Sequence, residues 1–533
     1  MPDEVGFFGS FSKFESAVSK KMVEPIGSYC IDTGRVRFAF SEPGDFNIPY
    51  ELDQAEFRRR LSEINKALTY FHEFCHYAQY WSTTNGLLEF LSCTAEIDQF
   101  LSIVQNTDVR IPMDLHFLAL TRDMSTVTPS QCQFLDYYLG LKLMRMNTGW
   151  LLGTLNPTVF GTATLSGLQE ELPGIFYTAP ATFVHPQIDE GYGLEGKRFA
   201  LVRKSPKRND MAGQHSGSLA FIGLHHLMEC FATTVEFEHL LRFNSTEAER
   251  IIRSWIADDE ALTYNLPFRM MTAVANRVWR SKSILDLPWA HLRVFLHVAL
   301  MYSDFLQTDP EDLARGKARR CLGSVKTQPA ITFYHVVSAF DHCSPLQDVE
   351  GDVLRLYDDL CSIVGIPPLA EMTTRLDVIL EALCQPSNLA RPYYESARAL
   401  VAEQQRDPLL FVNDLIYPDR FARLSELIAE RHFYRVSTSS WSVERQDMVN
   451  VVLEALQKFC EQLPARDYIE CPIWLVLGDG TELGVRQQLC DGTGTSGPFC
   501  GECFFPRLVR RCAVVYADWA KHTSSQSAPD SGT

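Results

Sequence analysis

The sequence predicts an α+β protein that is predominantly α-helical. Long stretches without Pro or Gly place apolar residues three and four positions apart, as in residues 53–82, and this spacing is typical of amphipathic helices. Residues 147–208 are instead rich in Gly, Pro, Thr and aromatic side chains, which indicates strands and long loops. Near the C-terminus, the turn sequence Gly478-Asp479-Gly480 predicts a β-hairpin.

The predicted elements begin with a strand at residues 35–40, where polar and apolar side chains alternate. The helix at residues 53–82 follows. We expect it to end at Asn85-Gly86, because these residue types favour the left-handed conformation that closes many helices. A second, almost wholly apolar helix is expected at residues 87–104, and its composition predicts that it is buried.

These patterns divide the chain into four regions. Residues 1–245 are predicted to form a metal-site domain that carries the strand and loop insertion at about 147–208. Residues 246–463 are predicted to form a helical domain, since helical spacing dominates there and is broken mainly at prolines. A small β-rich domain with clustered cysteines is expected at 464–522, and the polar tail at 523–533 is expected to be disordered.

The bulk composition limits the classes of function. The 533 residues carry a formal net charge of -17, which would repel a phosphate backbone, so nucleic-acid binding is disfavoured. No run of about eighteen apolar residues predicts a membrane span, and the N-terminus lacks the basic and apolar regions of a secretory signal. We therefore expect a cytoplasmic protein. The fifteen cysteines are expected to be reduced and mostly to fill small core positions.

The residues with the clearest chemistry form the pentapeptide at residues 72–76. His72 and His76 are four residues apart on the predicted helix, so both imidazoles project from one face and can bind one metal ion. Glu73 stands beside them, where its carboxylate can take a proton from a metal-bound water and act as the general base. Apolar neighbours place these polar residues on a largely buried face, which is costly unless they are paired or bind metal. The alternative is an ordinary core helix whose histidines are satisfied by hydrogen bonds.

A catalytic zinc site usually has three protein ligands, and two downstream glutamates are candidates for the third. Glu96 follows His76 after nineteen intervening residues, on the next predicted helix. Glu229 lies much farther along the chain, in a helix predicted at about residues 216–242. Both glutamates have apolar neighbours, so residue spacing alone leaves the choice open.

Residues 71–79, together with 82–87, resemble uncharacterised bacterial zincin-like proteins of the gluzincin group. The resemblance implies a zincin-like core, a Zn2+ cofactor and a metallopeptidase activity. It also implies that His72, His76 and a glutamate on a distant helix are the zinc ligands. In such proteins the glutamate at the position of Glu73 is the catalytic base.

The resemblance also bears on the third ligand. The stretch from Glu229 through Ala232 to Glu236 is similar to the Glu-x-x-Ala-x-x-x-Glu helix that supplies this ligand in many zincins. The Glu-x-x-x-Asp pattern of thermolysins is not met at Glu96, because Phe100 stands four residues later. We therefore favour Glu229 as the third ligand and keep Glu96 as the alternative.

Further residues could support the predicted site. Glu236 is seven residues after Glu229 and lies on the same helical face, so it could orient a ligand histidine through the ring N–H. A tyrosine or histidine could stabilise an oxyanion, although each candidate could equally be a packing residue. The candidates are Tyr77, Tyr80, His225 and His226.

The C-terminal cysteines suggest a second, structural zinc site. Cys500 and Cys503 form one C-x-x-C motif, with Cys490 ten residues before it and Cys512 nine residues after it. Four thiolates could bind one zinc ion. The single C-x-x-C falls short of the paired motif of a zinc ribbon, which leaves this site open.

The motif predicts a zinc-dependent hydrolase with a peptide or protein as the expected substrate and Glu73 as the base. Two alternatives remain. The chain could be a non-catalytic zinc protein whose helical region, at about residues 247–463, binds partners. It could also be a zinc amidase that acts on a non-protein substrate, because zinc and a carboxylate base define the type of reaction but not the substrate.

Overall fold

The described residues of the computed structural model are 27–30, 35–38, 48–106, 201–203, 218–220, 223–257, 262–278, 287–325, 327–342, 352–385, 390–413 and 415. They are predominantly α-helical, which confirms that part of the predicted fold class. The chain divides into two compact units. The first comprises residues 1–90, 147–387 and 391–435, and the second comprises 91–146, 388–390 and 436–533.

Two short antiparallel strand pairs lie in the described part of the chain. β1 (Gly27–Cys30) pairs with β2 (Arg35–Phe38). β3 (Leu201–Arg203) pairs with β4 (Ser218–Ala220). β2 confirms the first four residues of the strand that the alternation at residues 35–40 predicts.

Two consecutive helices occupy most of the stretch that the sequence predicts as one. They are α1 (Gln54–Arg59) and α2 (Leu61–Ser82). Asp53 caps α1, because its carboxylate accepts a hydrogen bond from the backbone N–H of Glu56 at 2.8 Å. Arg60 leaves the helical conformation (φ -96, ψ 9) and joins the two helices. α2 buries both polar and apolar side chains, so the predicted metal motif lies in the interior.

The helix α2 ends at Ser82, which confirms the predicted end of the range 53–82, but Asn85-Gly86 lies inside the next helix and is not the stop. Thr83 is extended (φ -116, ψ 150), and its hydroxyl accepts a hydrogen bond from the N–H of Gly86 at 3.2 Å. Thr83 therefore caps the next helix, α3 (Thr84–Asn106), which confirms the second predicted helix. A Cβ on Gly86 would lie 2.6 Å from the Cα of Tyr80, so the glycine permits a close crossing of the two helices.

The helix α4 (Leu224–Phe243) packs against α2 and against α5 (Ser245–Ala257), α6 (Leu262–Val278) and α7 (Trp289–Met301). Apolar side chains cover α4 on nearly every side, which explains why a helix of this length is buried. It confirms most of the helix predicted at residues 216–242, although β4 occupies the first residues of that stretch. The predicted division after residue 245 falls near the junction of α4 and α5.

A buried ion pair joins α7 to α4. Arg293 is fully buried, and its Nη1 lies 2.8 Å from Oε2 of Glu238. Its Nε also donates a hydrogen bond to the carbonyl oxygen of Val412. A buried charge is costly unless it is paired. The contact with Glu238 joins α7 to the helix that carries Glu229, and the contact with Val412 joins α7 to the segment that follows residue 406.

Further helices follow along the chain, and α13 packs against both α12 and α2. They are α8 (Pro310–Ala314), α9 (Ala318–Ser324), α10 (Pro329–His342), α11 (Val353–Val364), α12 (Leu369–Cys384) and α13 (Arg391–Arg406), with a 3-10 turn at Asp304–Gln307. The prediction that prolines break the helical spacing is confirmed at Pro288 and Pro329, because α7 begins directly after the first and α10 begins at the second. No helix in the described part combines the length and apolar character that crossing a bilayer requires.

Several predicted regions lie outside the described residues. They include most of the insertion at 147–208, the cysteine-containing region at 464–522 and the tail at 523–533. The cysteines that the structure does describe are buried, as expected of small core residues. They are Cys75, Cys93, Cys230, Cys321, Cys361 and Cys384.

Candidate metal centre

Three side chains from two helices converge at one point. His72 and His76 project from adjacent turns of α2, because a separation of four residues is close to one helical turn. Glu229 projects toward them from α4. One ligand atom from each of the three residues lies within 4.8 Å of the others. Glu236 lies two turns after Glu229 on α4 and faces His72, not His76. Because a later position on α4 faces an earlier position on α2, the two helices run antiparallel here.

The nitrogen and oxygen atoms of the three side chains lie closer together than the ligands of a tetrahedral zinc ion would. Nε2 of His72 lies 3.1 Å from Oε2 of Glu229 and 2.9 Å from Nε2 of His76. Nε2 of His76 contacts the other carboxylate oxygen, Oε1 of Glu229. The two imidazole planes meet at 81°, so both nitrogens point into the same small space. Two ligands of a tetrahedral zinc ion would be about 3.3 Å apart.

The chemistry of this donor set also fits a metal ion. Two imidazole nitrogens and a carboxylate are ligands that zinc and similar divalent metals accept. Their lone pairs and negative charge meet in a nearly buried space, where they would repel one another unless protons or a cation lay between them. His72, His76 and Glu229 therefore fit as the three protein ligands of one divalent ion.

The charges in the cluster shift the pKa values of His72 and Glu229. Burial opposes a charge on His72, but Glu236 and Glu229 outweigh it and raise the pKa of this imidazole well above its usual range. Burial likewise opposes a charge on Glu229, yet His76 and His72 lower the pKa of its carboxyl to about 2. These shifts describe an ionised carboxylate paired with a protonated imidazole, so a divalent cation that binds here would displace the proton on Nε2 of His72.

Glu236 lies beside His72 on the side opposite the candidate metal. Its Oε2 lies 3.3 Å from Nδ1 of His72, as the seven-residue spacing from Glu229 predicts. A carboxylate next to Nδ1 favours the tautomer with its proton on that nitrogen, and this leaves Nε2 free to bind a metal. Glu236 is therefore close enough to orient the imidazole.

Glu73 is a buried carboxyl group beside the cluster. Its side chain is 2 % exposed, and its Oε2 has no hydrogen-bond partner among the described residues. Burial raises the pKa of Glu73 to about 8; His72 acts in the opposite direction, and Glu229 and Glu236 raise it further. A carboxyl whose pKa lies near neutrality can both accept and release a proton.

Two other groups of candidate residues have structural contacts. Nδ1 of His226 accepts a hydrogen bond from the N–H of Gly223 at 3.0 Å, so this imidazole satisfies a donor at the start of α4. Burial lowers the pKa of His226 to about 4. Tyr77 and Tyr80 are buried in an aromatic cluster with Trp81, with ring centroids 6.1 and 5.3 Å from the tryptophan ring. These contacts favour packing roles for all three candidates.

The remaining candidates are less fully described. His225 lies in the first turn of α4 and is partly exposed. Glu96 lies on α3, but its side chain is outside the described part of the structure, so its candidacy as a ligand stays a prediction. The candidate structural-zinc cysteines also lie outside the described residues. They are Cys490, Cys500, Cys503 and Cys512.

One polar residue of the motif face was missed by the sequence reasoning. Gln79 is 1 % exposed and lies on α2, one turn beyond His76. The available signal was its spacing, because residues seven apart on a helix share a face and Gln79 is seven residues after His72.

Comparisons with protein-family models, with curated protein sequences and with solved structures found no significant match. The assignment of a function therefore rests on the residues and geometry of the candidate metal centre.

Proposed function

We propose that this protein is a zinc-dependent metallohydrolase, and specifically a peptidase, in which His72, His76 and Glu229 bind Zn2+. The convergence of these three side chains beside Glu73 is the observation that supports the proposal most directly. Catalytic zinc sites typically have three protein ligands and keep one position for water. Glu73 supplies the general base that hydrolysis requires.

The proposed mechanism assigns a separate task to each residue. A bound zinc ion would lower the pKa of a water molecule and polarise the substrate carbonyl. Glu73 would accept the proton of the attacking water and later deliver it to the leaving amine. Burial raises the pKa of Glu73 to about 8, and the positive charge of a bound zinc ion would lower it toward the ionised form that a base needs. Glu236 keeps the His72 ring turned so that Nε2 faces Glu229.

The proposal includes finer points of fold, substrate and location. A zincin-like core of the gluzincin type and an α+β class for the whole chain are supported by the resemblance of residues 71–79. A peptide or protein substrate is supported by the same resemblance. A cytoplasmic location is supported by the composition of the sequence.

The Glu73→Gln variant tests the proposal, because it removes the base and leaves the three ligands in place. The full chain, loaded with zinc, is incubated with a broad peptide library, and cleavage is followed by mass spectrometry. We expect this variant to keep its zinc and to lose cleavage by at least about 100-fold. Glu63→Gln, which changes an exposed glutamate of the same helix, is the matched control and should cleave like the unsubstituted protein.

The other outcomes would contradict the proposed base or favour a different function. Cleavage that survives unchanged in Glu73→Gln would contradict the proposed base. Bound zinc without any Glu73-dependent cleavage would favour the non-catalytic scaffold. Glu73-dependent hydrolysis of non-peptide amides alone would favour a zinc amidase.

A further inference from the structure

The face of α2 that carries the metal motif continues beyond the candidate metal centre. Gln79 is seven residues after His72, and seven residues are only about 20° short of two full helical turns. Its side chain therefore projects from almost the same side of the helix as that of His72. It lies about 4.5 Å further along the helix axis than His76. A ligand bound at the metal centre and extended toward the C-terminal end of α2 would reach Gln79.

The amide group of Gln79 lacks the partners that a buried amide normally has. The residue is 1 % exposed, and neither its Nε2 nor its Oε1 has a hydrogen-bond partner among the described residues. Nearly all buried side-chain amides in native proteins are hydrogen-bonded, because an unpartnered one is destabilising. A polar group that breaks this rule next to a metal centre is suited to bind a ligand.

We propose that Gln79 binds the backbone of a peptide substrate, at the peptide group next to the scissile one. The inference rests on the proposed function and deepens it, because it specifies a polypeptide backbone. A primary amide offers both donors and an acceptor, which complement the C=O and N–H of one peptide group. Neighbouring peptide groups of an extended chain are about 3.3–3.6 Å apart. Gln79 lies about 4.5 Å beyond His76 along the helix axis, so the peptide group next to the scissile one would lie near Gln79.

Gln79→Met tests the proposal, since methionine keeps the length of the side chain and removes its hydrogen bonds. Calorimetry on the zinc-loaded full chain measures the affinity for acetohydroxamate and for two Leu-Leu hydroxamates. One carries the hydroxamate at its carboxyl end, and the other carries a succinyl hydroxamate at its amino end. We expect one dipeptide probe to bind about tenfold more weakly to the variant and acetohydroxamate to bind equally well.

A second measurement separates a binding role from a structural one. Because Gln79 is unpartnered, Gln79→Met should melt at or above the temperature of the unsubstituted protein. Gln404→Met is the matched control, since Gln404 is also 1 % exposed but its Nε2 lies 3.3 Å from Nε2 of His297. We expect Gln404→Met to melt lower and to leave both dipeptide affinities unchanged.

Three results would overturn the proposal. The first is a lower melting temperature of Gln79→Met with unchanged dipeptide binding, which would assign the residue a structural role. The second is an equal loss of acetohydroxamate and dipeptide affinity, which would place the effect at the metal. The third is no binding of any hydroxamate to the unsubstituted, zinc-loaded chain; in that case the proposed function fails, and the role of Gln79 fails with it.

Discussion

At the scale of single residues, we expect Glu236 to act on the proposed metal centre through His72. Its carboxylate lies 3.3 Å from Nδ1 of that imidazole, and a glutamine in its place would keep the size but lose the charge. Carboxylates that hold a ligand histidine typically contribute 10- to 100-fold to metal affinity. We therefore expect Glu236→Gln to bind zinc about 10-fold more weakly, as measured by competition with a chromophoric chelator.

The control for this prediction is Glu249→Gln. Glu249 lies on α5 and pairs with Arg253, so its replacement should leave zinc affinity unchanged. Equal zinc affinity in Glu236→Gln and in the unsubstituted protein would show that Glu236 does not support His72.

Helical spacing predicts part of the candidate site. The four-residue separation of His72 and His76 places both imidazoles on one face, and the structure shows them there. The contact of Glu229 with these histidines joins α4 to α2 across a long stretch of chain, so it was proposed from a resemblance and not from spacing. The burial and missing partners of Gln79 depend on the tertiary packing, which spacing does not reveal.

At the scale of the helices, the crossing of α2 and α3 depends on Gly86. A Cβ at this position would lie 2.6 Å from both Cα and O of Tyr80, which are backbone atoms that cannot rotate away. We expect Gly86→Ala to lower the free energy of unfolding by about 1–3 kcal/mol, as measured by denaturant titration. A stability equal to that of the unsubstituted protein would show that the crossing tolerates a side chain.

The matched control is Gly323→Ala. Gly323 lies within α9, and a Cβ on it would meet nothing within 4 Å. Alanine is a better helix former than glycine, so we expect this variant to be more stable by up to about 1 kcal/mol.

The existence of the helices could be predicted better than the junctions between them. The apolar periodicity predicts the helices that became α2 and α3, because each buries one or more faces. The Asn85-Gly86 pair resembles a helix stop in the sequence, but it lies inside α3, where this helix approaches α2 closely. Nδ2 of Asn85 donates hydrogen bonds to the carbonyl oxygens of Ala299 and Tyr302 at 2.9 and 3.0 Å, a contact that only the folded chain creates.

At the scale of the whole molecule, buried histidines have two different environments. His297 is satisfied by hydrogen bonds in the core, since its Nδ1 lies 3.1 Å from the hydroxyl of Tyr357, and burial lowers its pKa to about 3. His72 and His76 instead face each other and a carboxylate. All three have at least one apolar sequence neighbour, so local composition does not separate the two environments, whereas the four-residue spacing of His72 and His76 does. The partners that distinguish them come from helices distant in the chain.

We propose that zinc bridges α2 and α4 through Glu229. Inductively coupled plasma mass spectrometry of the full chain, depleted of metal and then equilibrated with zinc, tests it when Glu229→Ala and Glu96→Ala are compared with the unsubstituted protein. We predict equal zinc contents in the unsubstituted protein and in Glu96→Ala, and one equivalent less in Glu229→Ala. Zinc retained by Glu229→Ala and lost by Glu96→Ala would contradict the account.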